Sequence, residues 1–220
     1  MKKLILITLI LLLFISVPVS AETDFGINFA WIEGANIDED YIPGGKIKLS
    51  TNQYNYNDLY DLLEFSSTFG IDDPDYNFVS SDLLFYSNIE SLEGAGNYVG
   101  IGIKQLFFDN SQASDFIFDS DITAYALPLA LKLENNQGQL KTFVEFKIFK
   151  GKYSMTVPGE DAESDFDGKS INLGFKFGFE KFDLKLSYQQ EDYSFDKDDN
   201  LFGATNFEDD YKGILLGISF

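Results

Sequence analysis

The sequence predicts an all-β chain folded as an antiparallel up-and-down barrel that crosses a membrane with strands. Three observations carry this. Segments in the last third alternate apolar residues with polar or small ones at a period of two, the pattern of strands with two unlike faces. After Ala21 no stretch approaches the ~18 uninterrupted apolar residues of a spanning helix. The connections between the segments also alternate, short turns with longer acidic or glycine-rich loops.

The elements follow in chain order. Met1-Lys2-Lys3, an apolar run from Leu4 to Val17 and the small residues Val19-Ser20-Ala21 give the order of a secretory signal peptide, with cleavage expected after Ala21. Residues 22–220 then form one barrel domain. Phe25, Ile27, Phe29 and Trp31 oppose Gly26, Asn28 and Ala30 in a first strand. Residues 32–77 are open. Gly44 to Leu49 could be a strand, and Asn57 could cap a short helix carrying Leu59, Leu62 and Leu63. Alternatively Leu63, Phe65, Ser67 and Phe69 form one face of a strand. A looser strand spans Asp82 to Ile89, with Leu83 and Phe85 on one face. Val99, Ile101 and Ile103 stand against Gly100, Gly102 and Lys104.

The pattern then sharpens. Tyr125, Leu127, Leu129, Leu131 and Leu133 point one way, with Ala124, Ala126, Pro128, Ala130 and Lys132 the other. Pro128 removes a ladder hydrogen bond, and a bulge is expected there. Leu140, Thr142, Val144, Phe146 and Ile148 alternate with Lys141, Phe143, Glu145, Lys147 and Phe149. Ile171, Leu173, Phe175, Phe177 and Phe179 pair through a Glu180-Lys181 turn with Phe182, Leu184, Leu186 and Tyr188. Ile214, Leu216, Ile218 and Phe220 form one face of the last strand. This gives eight strands, with ten as the alternative if both open segments span. Short turns are expected at Ser91–Gly96, Asn135–Gln139 and Glu180–Lys181. Longer loops are expected at Asp109–Asp115, Pro158–Gly168 and Asp196–Asp210.

Composition narrows the chemistry. The 36 acidic residues outnumber 16 basic ones, all lysine, and the net charge of −20 disfavours nucleic acid as a partner. Histidine and cysteine are both absent. Without imidazole a serine triad cannot be built, and general acid–base work near neutral pH loses its usual residue. Zinc, copper and non-haem iron sites lose their usual ligands. Carboxylates alone could still hydrolyse glycosides or bind calcium. Asp196, Asp198 and Asn200 have the first spacings of a calcium loop, but Leu201 and Phe207 stand where glycine and glutamate belong. Weak divalent-cation binding by acidic external loops is the most this supports. Gly100-Ile101-Gly102 is no nucleotide fingerprint, because Gln105 replaces the third glycine.

The signal peptide, the alternating strands and terminal Phe220 together resemble small OmpA/OmpX-type bacterial outer-membrane barrels, as an architecture rather than residue by residue. The resemblance implies periplasmic termini, external acidic loops, outer-membrane lipid as the surrounding solvent, and no cofactor. It also implies that Ile214, Leu216, Ile218 and Phe220 are read by the barrel-assembly machinery. No catalytic residue is expected. Inward charges at Glu145, Lys147, Lys176, Asp183 and Lys185 are expected to form a lumen network, either a structural plug or a polar pathway. Trp31, Tyr98, Tyr125, Tyr188 and Tyr211 lie near strand ends, where interfacial girdles occur. The expected role is a non-enzymatic structural or surface-interaction barrel of the envelope. The alternatives are a narrow pore for ions or small solutes, and a secreted soluble barrel holding an apolar ligand.

Overall fold

In a computed structural model of the chain the barrel closes with ten strands. The structure describes residues 22–34, 42–52, 60–72, 76–92, 95–110, 120–135, 138–157, 160–196 and 207–220. The signal-peptide expectation, residues 1–21, lies outside them, as do Asn57, Asp198 and Asn200.

The strands are β1 (Glu22–Gly34), β2 (Ile42–Asn52), β3 (Leu62–Asp72), β4 (Tyr76–Leu92), β5 (Ala95–Asn110), β6 (Ser120–Asn135), β7 (Leu140–Val157), β8 (Glu160–Gly178), β9 (Asp183–Phe195) and β10 (Phe207–Ser219). Each pairs antiparallel with its neighbours in sequence, and β1 pairs with β10 to close the ring. Closure leaves no unpaired edge. At the seam, Phe25 and Phe220 exchange backbone hydrogen bonds of 3.1 and 2.9 Å.

The ten-strand alternative holds, and the preference for eight is corrected. The open region supplies β2 and β3. Leu63, Phe65, Ser67 and Phe69 do lie on one face of β3, with Glu64, Ser66 and Thr68 on the buried face. Ten strands fit because hairpins are tighter than expected: only residues 93–94 separate β4 from β5, and only 158–159 separate β7 from β8. The long loop expected at Pro158–Gly168 is therefore mostly strand. Strands β7 and β8, at 18 and 19 residues, run past the apolar band at the end away from the termini. There their outward residues are Lys150, Lys152, Asp165 and Asp167.

Period-two alternation sets the two faces. Among the outward residues Phe29, Trp31, Leu127, Leu129, Ile148 and Ile214 are exposed, while their inward neighbours are buried. Ile171, Leu173, Phe175, Phe177 and Phe179 also face outward, which removes the soluble carrier with that face inside. Outward apolar runs of about nine residues, at ~3.3 Å per residue and ~40° tilt, give a band ~23 Å tall, close to the ~25 Å of membrane barrels.

Pro128 sits without a bulge. Its register with β7 is continuous, Pro128 opposite Phe149. On the β5 side the pairing stops at Ile101↔Leu129 and resumes at Lys104↔Ala126 in the same register. The missing ladder bond is thus absorbed by a short gap opposite Gly102. A Cβ at Gly102 would collide with the Leu83 backbone, so β4 lies closer than any side chain there permits. The irregularity that does shift register falls in β4, between Asn88 and Glu90. Gly138, in the β6–β7 turn, has φ of 74°, a left-handed conformation that glycine adopts without steric cost.

Candidate functional site

The inward faces fill the lumen in layers. Towards the end away from the termini, Phe78, Phe149, Phe166, Tyr193, Phe195 and Tyr211 meet across the barrel. Phe166 packs on Phe195 at 4.9 Å and on Tyr193 at 5.9 Å between ring centroids, and Phe78 lies 4.9 Å from Tyr211. The Tyr153 hydroxyl donates to the Asp196 carbonyl at 2.7 Å at the rim. This layer is a hydrophobic core inside a barrel whose outside is also apolar. Strands with aromatic or small residues on the inward parity produce it.

Below the aromatics lies a buried ion-pair layer. Lys104 Nζ is 2.7 Å from Glu191 and 3.4 Å from Asp82, and Lys147 Nζ is 2.5 Å from Asp82. Glu191 also accepts from the Tyr193 hydroxyl at 2.6 Å and from Gln189 at 3.1 Å. Gln189 donates to the Tyr211 hydroxyl at 2.6 Å. Each charge is desolvated and each finds a partner on another strand, the condition under which buried ions are tolerated. Glu145 accepts a hydrogen bond from the Tyr86 hydroxyl. Tyr86 packs in a smaller apolar cluster with Leu62, Leu84 and Ala130, against which Tyr98 leans.

The third layer opens at the end that carries the termini. Here a cavity of about 630 Å³ is lined by Asp24, Lys48, Lys132, Glu134, Lys141, Phe143, Lys176 and Asp183, among others. Glu64 holds Lys48 at 2.6 Å and Lys132 at 2.9 Å, and Lys132 reaches Glu134 at 2.9 Å. The mouth is polar but largely self-paired.

The five predicted lumen charges all lie on the inward parity, yet they do not form one network. Glu145 and Lys147 are buried in mid-lumen with different partners. Lys176 pairs with Asp24 at 3.0 Å and Asp183 with Lys141 at 3.1 Å, so these two serve separate contacts. Lys185 is buried with its Nζ 4.9 Å from the centre of the Phe143 ring. The expectation missed Lys104, Glu191 and Asp82, the centre of the ion-pair layer. Parity was the available signal: Lys104 alternates with Ile103, and Glu191 follows inward Gln189 by two. Of the expected girdle, Trp31, Tyr125 and Tyr188 face outward, but Tyr98 and Tyr211 turn into the lumen. Ile214, Leu216, Ile218 and Phe220 are exposed on the outer wall.

No protein-family model matches the chain, and no curated protein matches it in sequence. Among solved structures the chain is similar to Neisserial surface protein A, at 10% identity and a TM-score of 0.38, covering 91% of this chain and 97% of that one. It is similar to Ail, the attachment invasion locus protein of Yersinia pestis, at 11% identity and 0.35, with 91% and 97% covered. It is also similar to the CymD monoaromatic hydrocarbon channel, at 8% identity and 0.35, with 90% and 87% covered. The fold assignment stands on the unbroken ring of antiparallel ladders, β1 through β10.

Proposed function

We propose that the chain is a non-enzymatic outer-membrane barrel with a structural or surface-interaction role in the envelope of a bacterium with two membranes. The observation that carries this reading is an inside-out distribution of polarity. The outer wall is an apolar band, while the lumen is occupied by ion pairs and aromatic rings. Only a hydrocarbon surround makes such a wall favourable, and closed barrels satisfy every backbone group there. With the middle of the lumen filled, the loops, the rims and the cavity at the termini end are left as the places for binding. The termini would be periplasmic. Ile214, Leu216, Ile218 and Phe220, presented to lipid, would be the segment read by the assembly machinery, and weak divalent cations would meet the acidic external loops.

Fractionation with a heat-modifiability gel tests the location. Outer-membrane enrichment and a mobility shift on boiling are expected; a soluble protein with no shift would sink the reading. A narrow pore is the second reading, favoured by the cavity at the termini end. Planar-bilayer recording separates the two. The filled lumen predicts silence despite insertion, and stepwise conductance altered by Glu145→Gln would establish the pore.

A further inference from the structure

The sheet arranges the lumen lysines in an order that the ion pairs do not account for. Followed round the wall through directly opposite residues of successive strands, one unbroken row of inward positions reads Lys141, Lys176, Lys185, Gly217, Asn28 and Lys46. Four of the six are cations and none is an anion. Strands tilt in a closed barrel, so such a row climbs the wall. It runs from Lys141, which lines the cavity mouth, up to buried Lys46.

The two lower lysines have their counter-charges, Asp183 and Asp24. The two upper ones do not. Lys46, 2% exposed, donates to the neutral Gln189 side-chain oxygen at 2.8 Å. Lys185, 5% exposed, has the Phe143 ring, and Phe143 is itself a wall of the cavity. Among the described residues, no carboxylate stands within ion-pair distance of either. Unpaired buried charge is strongly unfavourable. Between them Gly217 leaves a gap over which the Asn28 amide lies, and Asn28 Oδ1 is buried without a hydrogen-bond partner. The Ser187 hydroxyl, two residues along β9 from Lys185, is also buried and unpartnered.

We propose that Lys185, Lys46, Asn28 and Ser187 form a binding site for a small protonated oxyanion, hydrogen phosphate, entered from the cavity at the termini end. Two ammonium groups supply the counter-charge, the Ser187 hydroxyl donates to a phosphate oxygen, and the P–OH group donates to the free Asn28 oxygen. Sulfate, fully deprotonated, leaves that oxygen unsatisfied. The chain carries a net charge of −20, so this row offers an anion shelter from the acidic exterior. The site needs the closed barrel but does not depend on which membrane holds it.

The test is calorimetric titration of sodium phosphate into the full-length barrel, in a detergent without a phosphate headgroup and at constant ionic strength. Saturable one-to-one binding is expected, stronger than for sulfate, together with a phosphate-dependent rise in the temperature of the heat-modifiable transition. Lys185→Met should weaken binding by about tenfold or more, the scale of one charge-assisted hydrogen bond, while Lys169→Met on the outer wall should bind like the parent. Asn28→Asp places a carboxylate in the row; it should abolish binding and stabilise the phosphate-free barrel, a readout that survives if Lys185→Met does not fold. Absence of saturable binding by the parent at millimolar phosphate, or parent-like binding by Asn28→Asp, would overturn the site. Displacement of phosphate by short-chain phosphatidylglycerol would overturn the free ion in favour of a lipid headgroup.

Discussion

Replacing Glu191 by leucine tests whether the middle of the lumen is dry. Glu191 is 1% exposed and holds Lys104 at 2.7 Å. At that separation the attraction is about 6 kcal/mol at an effective dielectric of ~20, but only about 1.5 kcal/mol in bulk water. Without Glu191, Lys104 keeps the neutral Ser80 hydroxyl at 2.7 Å and, for counter-charge, Asp82 at 3.4 Å, a carboxylate already committed to Lys147. One buried cation is then uncompensated, and Glu191→Leu should lose about 3–5 kcal/mol of unfolding free energy. The double variant Glu191→Leu/Lys104→Met restores the balance and should return to within about 2 kcal/mol of the parent. Reversible urea unfolding in lipid vesicles measures both, followed by the fluorescence of Trp31, the single tryptophan, which is exposed on the outer wall. A loss below about 1 kcal/mol in the single variant, the scale of a solvated ion pair, would refute the dry layer and return the lumen to an aqueous path.

Other expectations follow from the wall and the rims. Leu129→Arg, in the middle of the outer face of β6, should cost about 2–4 kcal/mol in the same assay, whereas Lys152→Arg, beyond the band, should be neutral. Gly102→Val should prevent the heat-modifiable form from appearing, because its Cβ has no space against the Leu83 backbone. Replacing residues 197–206 with a short turn should leave the mobility shift intact while removing any cation or surface binding by that acidic segment; a lost shift would refute this expectation. Phe220→Ala should slow assembly in cells while leaving folding from urea into vesicles unchanged, since the Phe220 side chain is 66% exposed and its seam bonds are backbone bonds.

The outer wall was legible because its outward positions are alike in being apolar. Leu127, Leu129, Leu131 and Leu133 can be read without knowing what lies beside them. The strand count was harder. In β3 serine and threonine blur the contrast between faces, and Ser67 satisfies its outward hydroxyl against Ser81 at 2.9 Å instead of being apolar. The extension of β8 through Glu163, Asp165 and Asp167 reads as loop from the sequence because those residues lie above the apolar band, where the outer face of a strand tolerates acidic residues. Lumen partners were the least legible. Lys147 and Asp82 are 65 residues apart, and Lys104 and Glu191 are 87 apart. Such pairs depend on the curvature and register of the whole ring, which a single strand does not encode. Parity placed the charges inside, but only closure decided which of them meet. Tyr98 and Tyr211 were misassigned by proximity to strand ends, where parity would have turned both inward.

The lysines of the inner wall have a further consequence for how the chain can vary. Insertion of one residue within β9 would swap its faces from that point on, delivering Lys185 or Glu191 to the apolar outer wall and Leu186 to the ionic layer. The buried charges therefore act as a reading-frame check on the sheet, penalising every pairing offset by an odd number of residues. Homologous chains should accordingly gain and lose residues between strands, as at 197–206, and within the strands only by compensated pairs. Length variation, mapped along an alignment, would trace the inner surface without any structure at all.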